Sequence, residues 1–97
     1  MSKPEAAVEG CLVAGALVRG GRAAKMIDAG RRGAPDRMLY LPGQPLWVET
    51  KAKDGHLESW QERYHEELRS YGYTVLVLWT VEQVENFWMR YDRGDYG

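Results

Sequence analysis

DRMLYLPGQPLWVETK, residues 36–51, holds two apolar runs of strand length on either side of a Pro-Gly pair. Proline presets the backbone of a type II turn, and glycine supplies the positive φ that the turn needs at its next position. Residues 36–41 and 46–51 therefore read as the arms of a β-hairpin. Side chains alternate along a strand. Leu46, Val48 and Thr50 then face one way, and Trp47, Glu49 and Lys51 the other. Antiparallel pairing through a turn centred at 42–43 sets residue 36 opposite residue 49. Asp36, Glu49 and Lys51 are expected to meet at the open end of the hairpin.

Upstream, RAAKMID (22–28) is a short strand candidate and AGRRGAP (29–35) a loop by its glycines and proline. The three strands predict a meander. SKPE (2–5) opens a helix, with Ser2 as cap, Pro4 in the first turn and Glu5 completing a capping box. That helix runs on through AAVEGCLVAGALV and stops at Gly20-Gly21. Downstream, KDGH (53–56) is a turn. SWQE (59–62) starts a second helix, with Ser59 as its expected cap and Trp60, Tyr64, Leu68 and Tyr71 as its apolar stripe, ending at Gly72. YTVLVLW (73–79) is a continuous apolar run rich in β-branched residues, expected as a central buried strand. TVEQ repeats the capping pattern before a last helix striped by Val84, Phe87, Trp88 and Tyr91. The tail DRGDYG is expected to fray. The predicted order is α-β-β-β-α-β-α, an α/β fold with a mixed sheet flanked by helices.

With 97 residues, 44% of them hydrophobic, the chain reads as one globular domain over residues 1–97. A lone cysteine, Cys11, forms no internal disulfide and fits a reducing, intracellular setting. The apolar run Cys11–Val18 is too short to span a bilayer, and no signal peptide is visible. The net charge of −1 conceals an asymmetry. Residues 1–53 carry nine Lys/Arg against five Asp/Glu, and residues 54–97 carry four against nine. A basic half on a near-neutral protein suggests a face for a polyanion, with scattered surface charge as the plainer alternative.

Two carboxylates held a few ångströms apart repel each other unless a cation lies between them. Hard oxygen ligands suit Mg2+ or Mn2+. A lysine beside such a cation can orient water or meet a developing negative charge. Together these groups form an apparatus for metal-assisted phosphodiester hydrolysis. The alternative from spacing alone is a cross-strand salt bridge from Lys51 to Asp36 or Glu49.

The run GRRGAPDRMLYLPGQPLWVETKAKDGHLESWQERYHEELRSYGYTVLVL resembles the VRR-NUC (virus-type replication-repair) nucleases of the PD-(D/E)XK superfamily. Pro35-Asp36 matches the proline-aspartate element, and Glu49-Thr50-Lys51 the E-x-K element. Gln61, His65 and Leu68, ahead of Gly72, match the downstream glutamine, histidine and leucine. The likeness extends from about Glu5 to Phe87. Thr50 departs from the apolar residue usual at that position. The resemblance implies a Mg2+- or Mn2+-dependent endonuclease with a restriction-endonuclease-like core. Asp36, Glu49 and the Thr50 carbonyl would be metal ligands, Lys51 the catalytic lysine, and Gln61 a helper at the site's edge. The superfamily adds an acid from the first helix. Glu9 is favoured because a charge inside that apolar helix needs a reason, with Glu5 the alternative. His65 reads first as a packed or exposed histidine, and second as a phosphate contact.

Lys25, Arg31, Arg32, Arg37 and Lys53 surround these positions and are expected to contact DNA phosphates, without reading base edges. The acidic residues of the second helix are expected to be solvated. The resemblance further implies branched, flapped or four-way-junction DNA as substrate, a homodimer, no membrane association, and an intracellular protein, with phage encoding and action in a bacterial host as one reading. A nuclease fold retained only for DNA binding or assembly is the rival reading.

Overall fold

The computed structural model describes residues 4–96. The elements are α1 (Pro4–Val18), β1 (Arg22–Lys25), β2 (Arg37–Tyr40), β3 (Leu46–Thr50), α2 (Ser59–Ser70), β4 (Val75–Leu78) and α3 (Val81–Asp92), in the expected order. The hairpin forms as its turn residues dictate, with Gly43 at φ 98°. Arg37 pairs with Val48 and Leu39 with Leu46, antiparallel. Continued by one residue, that register sets Asp36 against Glu49. β1 adds to β2 antiparallel, while β4 runs parallel to β3 after the α2 crossover.

The sheet order is β1-β2-β3-β4. The expected central strand, β4, is therefore an edge of the described sheet, and β3 is the strand buried along its whole length. The apolar run at 73–79 reports that both faces of β4 are shielded. It carries no information about whether a strand lies alongside.

The two faces of β3 meet different layers. Leu46 and Val48 join a core with Val8, Leu12 and Ala16 of α1 and Val84, Phe87 and Trp88 of α3. Fully burying an aliphatic side chain of this kind contributes about 1.5–3 kcal/mol. α1 and α3 touch closely where Gly15 leaves room for the indole of Trp88. A Cβ on Gly15 would fall 2.1 Å from Trp88 Nε1. Arg19, at the end of α1, stacks over the same indole at 4.4 Å and reaches Asp92 with two 2.7 Å bonds.

α2 covers the opposite face, where Trp47, Glu49 and Val75 are buried. Its N-cap is Glu58 rather than the expected Ser59, so Gln61 becomes the third helical residue. Gln61 Oε1 accepts from the Glu58 N–H at 2.9 Å, reaching back as the partner in a capping box does. α3 is capped as expected, Thr80 Oγ1 accepting from the Gln83 N–H at 3.1 Å. The tail does not fray within the described residues. Tyr96 packs on Phe87 with ring centroids 5.3 Å apart. The expected Ser2 cap lies outside the described residues. Among those described, no helix is long and apolar enough to cross a membrane.

Candidate active site at the open end of the hairpin

Asp36, just ahead of β2, is anchored by the next strand. Its Oδ2 accepts from the Thr50 N–H at 3.1 Å and from Thr50 Oγ1 at 3.3 Å. The Asp36 carbonyl accepts from the Met26 N–H at 2.9 Å, tying the loop after β1 to the same point. Glu49 projects from the α2 face of β3 and is 2% exposed. Among the described residues its Oε1 has no hydrogen-bond partner. Burial pushes the Glu49 carboxyl above the ordinary carboxylate range. The facing imidazole of His65 and the charge of Lys51 oppose that push, and the neighbouring Asp36 carboxylate adds to it.

Lys51 follows β3 directly, its N–H donating to the Leu78 carbonyl at 3.0 Å. It is half-buried. Among the described residues its ammonium makes no ion pair within 4.0 Å. The structure thus does not contain the cross-strand salt bridge that spacing alone allowed. Instead, two adjacent carboxylates share a half-enclosed corner with a lysine held close but not bonded to them.

Glu9 and Arg37 form a separate pair. Arg37 shares the Val48 face of the sheet, toward α1. Its guanidinium reaches Glu9 Oε2 at 3.1 and 3.2 Å and donates to the Ala23 carbonyl at 3.1 Å. The side chain of Arg37 is 14% exposed. The charge inside α1 therefore has a protein partner, one the sequence had set among the phosphate contacts. Glu9 approaches the hairpin from the layer opposite His65 and Gln61. Glu5, the alternative acid, is exposed.

Other basic residues are more accessible. Lys25 and Lys53 are exposed. Arg31 and Arg32, in the β1–β2 loop, lie over aromatic rings of α2, Arg31 4.8 Å from Tyr64 and Arg32 3.8 Å from Trp60. Gly33, at φ 108°, lets the loop approach α2 so closely that a Cβ would lie 2.6 Å from the Trp60 carbonyl oxygen. Asp28 accepts from the Tyr64 hydroxyl at 2.8 Å. Arg31 also pairs with Glu67, so that part of the acidic face of α2 is not simply solvated. His65 is wholly buried, its Nε2 3.6 Å from Glu49 Oε1. Among the described residues neither of its ring nitrogens has a hydrogen-bond partner. Of the sequence readings of His65 the packed one is what the structure shows, and nothing in the sequence connected it with Glu49.

Among the described residues, no group of three or more His, Cys, Asp and Glu is arranged to hold a metal ion. Two carboxylates with one orphaned oxygen nevertheless suit a hard cation that keeps several waters, as Mg2+ does.

No family model matches the chain. "Putative nuclease p44" of Acyrthosiphon pisum secondary endosymbiont phage 1 is 40% identical over 75 residues, spanning 76% of this chain and 81% of the relative. A solved structure titled "VRR_NUC domain" superposes with a TM-score of 0.86 at 30% identity, covering 93% of this chain and 99% of that one. Its likeness extends across the hairpin, the α2 crossover and both helical layers. The chain belongs to the VRR-NUC family of nucleases, with the restriction-endonuclease-like fold of that group.

Proposed function

We propose that the chain is a Mg2+- or Mn2+-dependent DNA endonuclease acting on branched, flapped or four-way-junction DNA. The observation that supports this most directly is the meeting of Asp36 with a buried, raised Glu49 carboxyl beside Lys51, which makes no ion pair among the described residues. Like charges forced together in a half-enclosed corner cost free energy that a bound cation would return. Asp36, Glu49 and the Thr50 carbonyl would hold that cation, which would stabilise charge developing on phosphate oxygens. Glu9 would join them only by leaving Arg37.

The chain's own groups account for the rest. The Lys51 ammonium orients the attacking water and faces the charge that builds as it reacts. The water oxygen forms a new bond to phosphorus and the bond to the 3′-oxygen breaks. The products carry a 5′-phosphate and a 3′-hydroxyl, the water's protons passing to the leaving oxygen and to solvent. Lys25, Arg31, Arg32 and Lys53 contact phosphates, and nothing among them selects a base sequence. Two sites related by a two-fold axis would match the symmetry of a four-way junction, so the active form is a homodimer.

Labelled plasmid, flap, splayed-arm and four-way-junction DNA should be incubated with the protein in Mg2+, Mn2+ or EDTA. Cleavage of branched DNA and of closed circles with either metal, and none in EDTA, is the expected result. Undiminished cleavage in EDTA would overturn the metal requirement. No cleavage of any substrate would favour a DNA-binding or assembly role for the fold.

A further inference from the structure

The two carboxylates at the hairpin's end are not held alike. Asp36 is oriented by two donors, the Thr50 N–H and hydroxyl, both on a buried residue. Among the described residues Glu49 Oε1 has no hydrogen-bond partner, and the Nε2 of His65 faces it at 3.6 Å. That spacing is longer than a hydrogen bond, and a shift of a few tenths of an ångström would make one. His65 arrives there through α2. Its neighbours along the helix face, Gln61 and Leu68, lie one turn to either side, and the capping contact of Gln61 sets where the helix begins.

His65 is a poor choice for packing alone. It is 0% exposed, and among the described residues neither ring nitrogen has a hydrogen-bond partner. Burying unpaired polar atoms destabilises a fold, and an aliphatic side chain would fill the same position without that cost. A residue that works against the fold while facing a functional carboxylate suggests a role at the site. Carboxylates that ligate metals are commonly oriented by an outer hydrogen bond, and losing that bond weakens metal affinity.

We propose that His65 is a positioning residue, whose Nε2–H orients the Glu49 carboxylate for metal binding from the buried side of the sheet, as Thr50 orients Asp36 from within β3. The inference rests on the reading of Asp36 and Glu49 as metal ligands. His65 touches neither DNA nor the reacting atoms. The contact requires the ring hydrogen to be on Nε2, and it sets the direction in which Glu49 offers its remaining lone pairs.

Calorimetric titration of the full chain with Mn2+, in the absence of DNA, tests this on wild type, His65→Leu and His65→Gln. His65→Leu should bind Mn2+ about tenfold or more weakly, while its metal-free melting temperature holds or rises. His65→Gln retains an N–H donor and should recover most of the affinity. A His65→Leu protein that binds Mn2+ as tightly as wild type would overturn the proposal and leave the metal site standing. A wild-type chain that binds no Mn2+ would overturn both readings. Wild-type protein also gives an answer that does not depend on the variants folding. Addition of Mg2+ should move the nitrogen resonance of His65 Nε2, and an unmoved resonance in protein shown to bind Mg2+ would overturn the proposal.

Discussion

β3 divides the molecule into two unlike halves. Toward α1 and α3 it presents Leu46 and Val48 to a core of aliphatic and aromatic side chains. Toward α2 it presents Trp47 and Glu49, α2 answers with an aromatic surface and a buried histidine, and among the described residues four polar atoms there are orphaned (Trp47 Nε1, Glu49 Oε1 and both nitrogens of His65). One five-residue strand thus has a face that stabilises and a face that spends stability. Alternation at period two makes this possible, because each face can be built without disturbing the other. The packing of Leu46 and Val48 with the side chains of α1 and α3 on the first face offsets the costly chemistry on the second.

This contrast can be broken from either side. The largest effect is expected at the polar face: Lys51→Ala should slow DNA cleavage by about 10²–10⁴-fold, as loss of a proton-handling or charge-stabilising group does. Its circular dichroism and melting temperature should stay near wild type. Wild-type cleavage rates in the folded variant would remove Lys51 from the site. Next, Leu12→Ala on the apolar face should cost about 2–5 kcal/mol, measured by denaturant unfolding. Cleavage by the fraction that remains folded should be unchanged.

The position of Lys51 was legible in the sequence because the Pro-Gly turn sets the register and alternation does the rest. Asp36 and Glu49 were placed opposite each other by the same reasoning. What was not legible came from contacts that cross layers. No local pattern links Glu9 in a helix with Arg37 in a strand, so Arg37 read as a phosphate contact when it is spent inside the protein. The start of α2 was misplaced by one residue because Glu58 and Ser59 are both followed, three residues later, by a residue able to complete a capping box. β4 read as central because its composition records shielding and not neighbours. The fraying expected of DRGDYG overlooked Tyr96, a lone aromatic among polar residues that finds Phe87.

The Glu9–Arg37 pair offers an intermediate test, since it joins the stabilising layer to the edge of the site. Glu9→Gln leaves a largely buried guanidinium without its carboxylate and should cost about 1–3 kcal/mol. A double-mutant cycle with Arg37→Met would isolate the coupling. If Glu9 also serves the metal, its loss should reduce Mn2+ affinity even in the Arg37→Met background. Unchanged affinity there would confine Glu9 to a structural role.

The smallest effect is expected at the β1–β2 loop. The Tyr64 hydroxyl, with the Gly30 N–H, holds the Asp28 carboxyl below the ordinary carboxylate range. A depressed carboxyl contributes stability above its unfolded value of about 3.9 and loses it as pH falls through the lower, folded value. The Gly30 amide resonance should therefore titrate with a midpoint below that of a free aspartate. Asp28→Asn should abolish the transition while barely changing the melting temperature. A midpoint at the ordinary value would mean that the loop is not held on α2 in solution.

The void that Gly15 leaves for Trp88 constrains how the sequence can drift. A methyl group at position 15 would overlap the indole, so a lineage that acquires alanine there must first, or simultaneously, exchange the tryptophan for something smaller. That order is open, since shrinking residue 88 removes the obstruction before position 15 changes. The stepwise path between the two states therefore runs through a cavity-bearing intermediate. Relatives that carry a side chain at position 15 should lack the large ring at position 88, while their carboxylates on the far side of β3 evolve independently of that exchange.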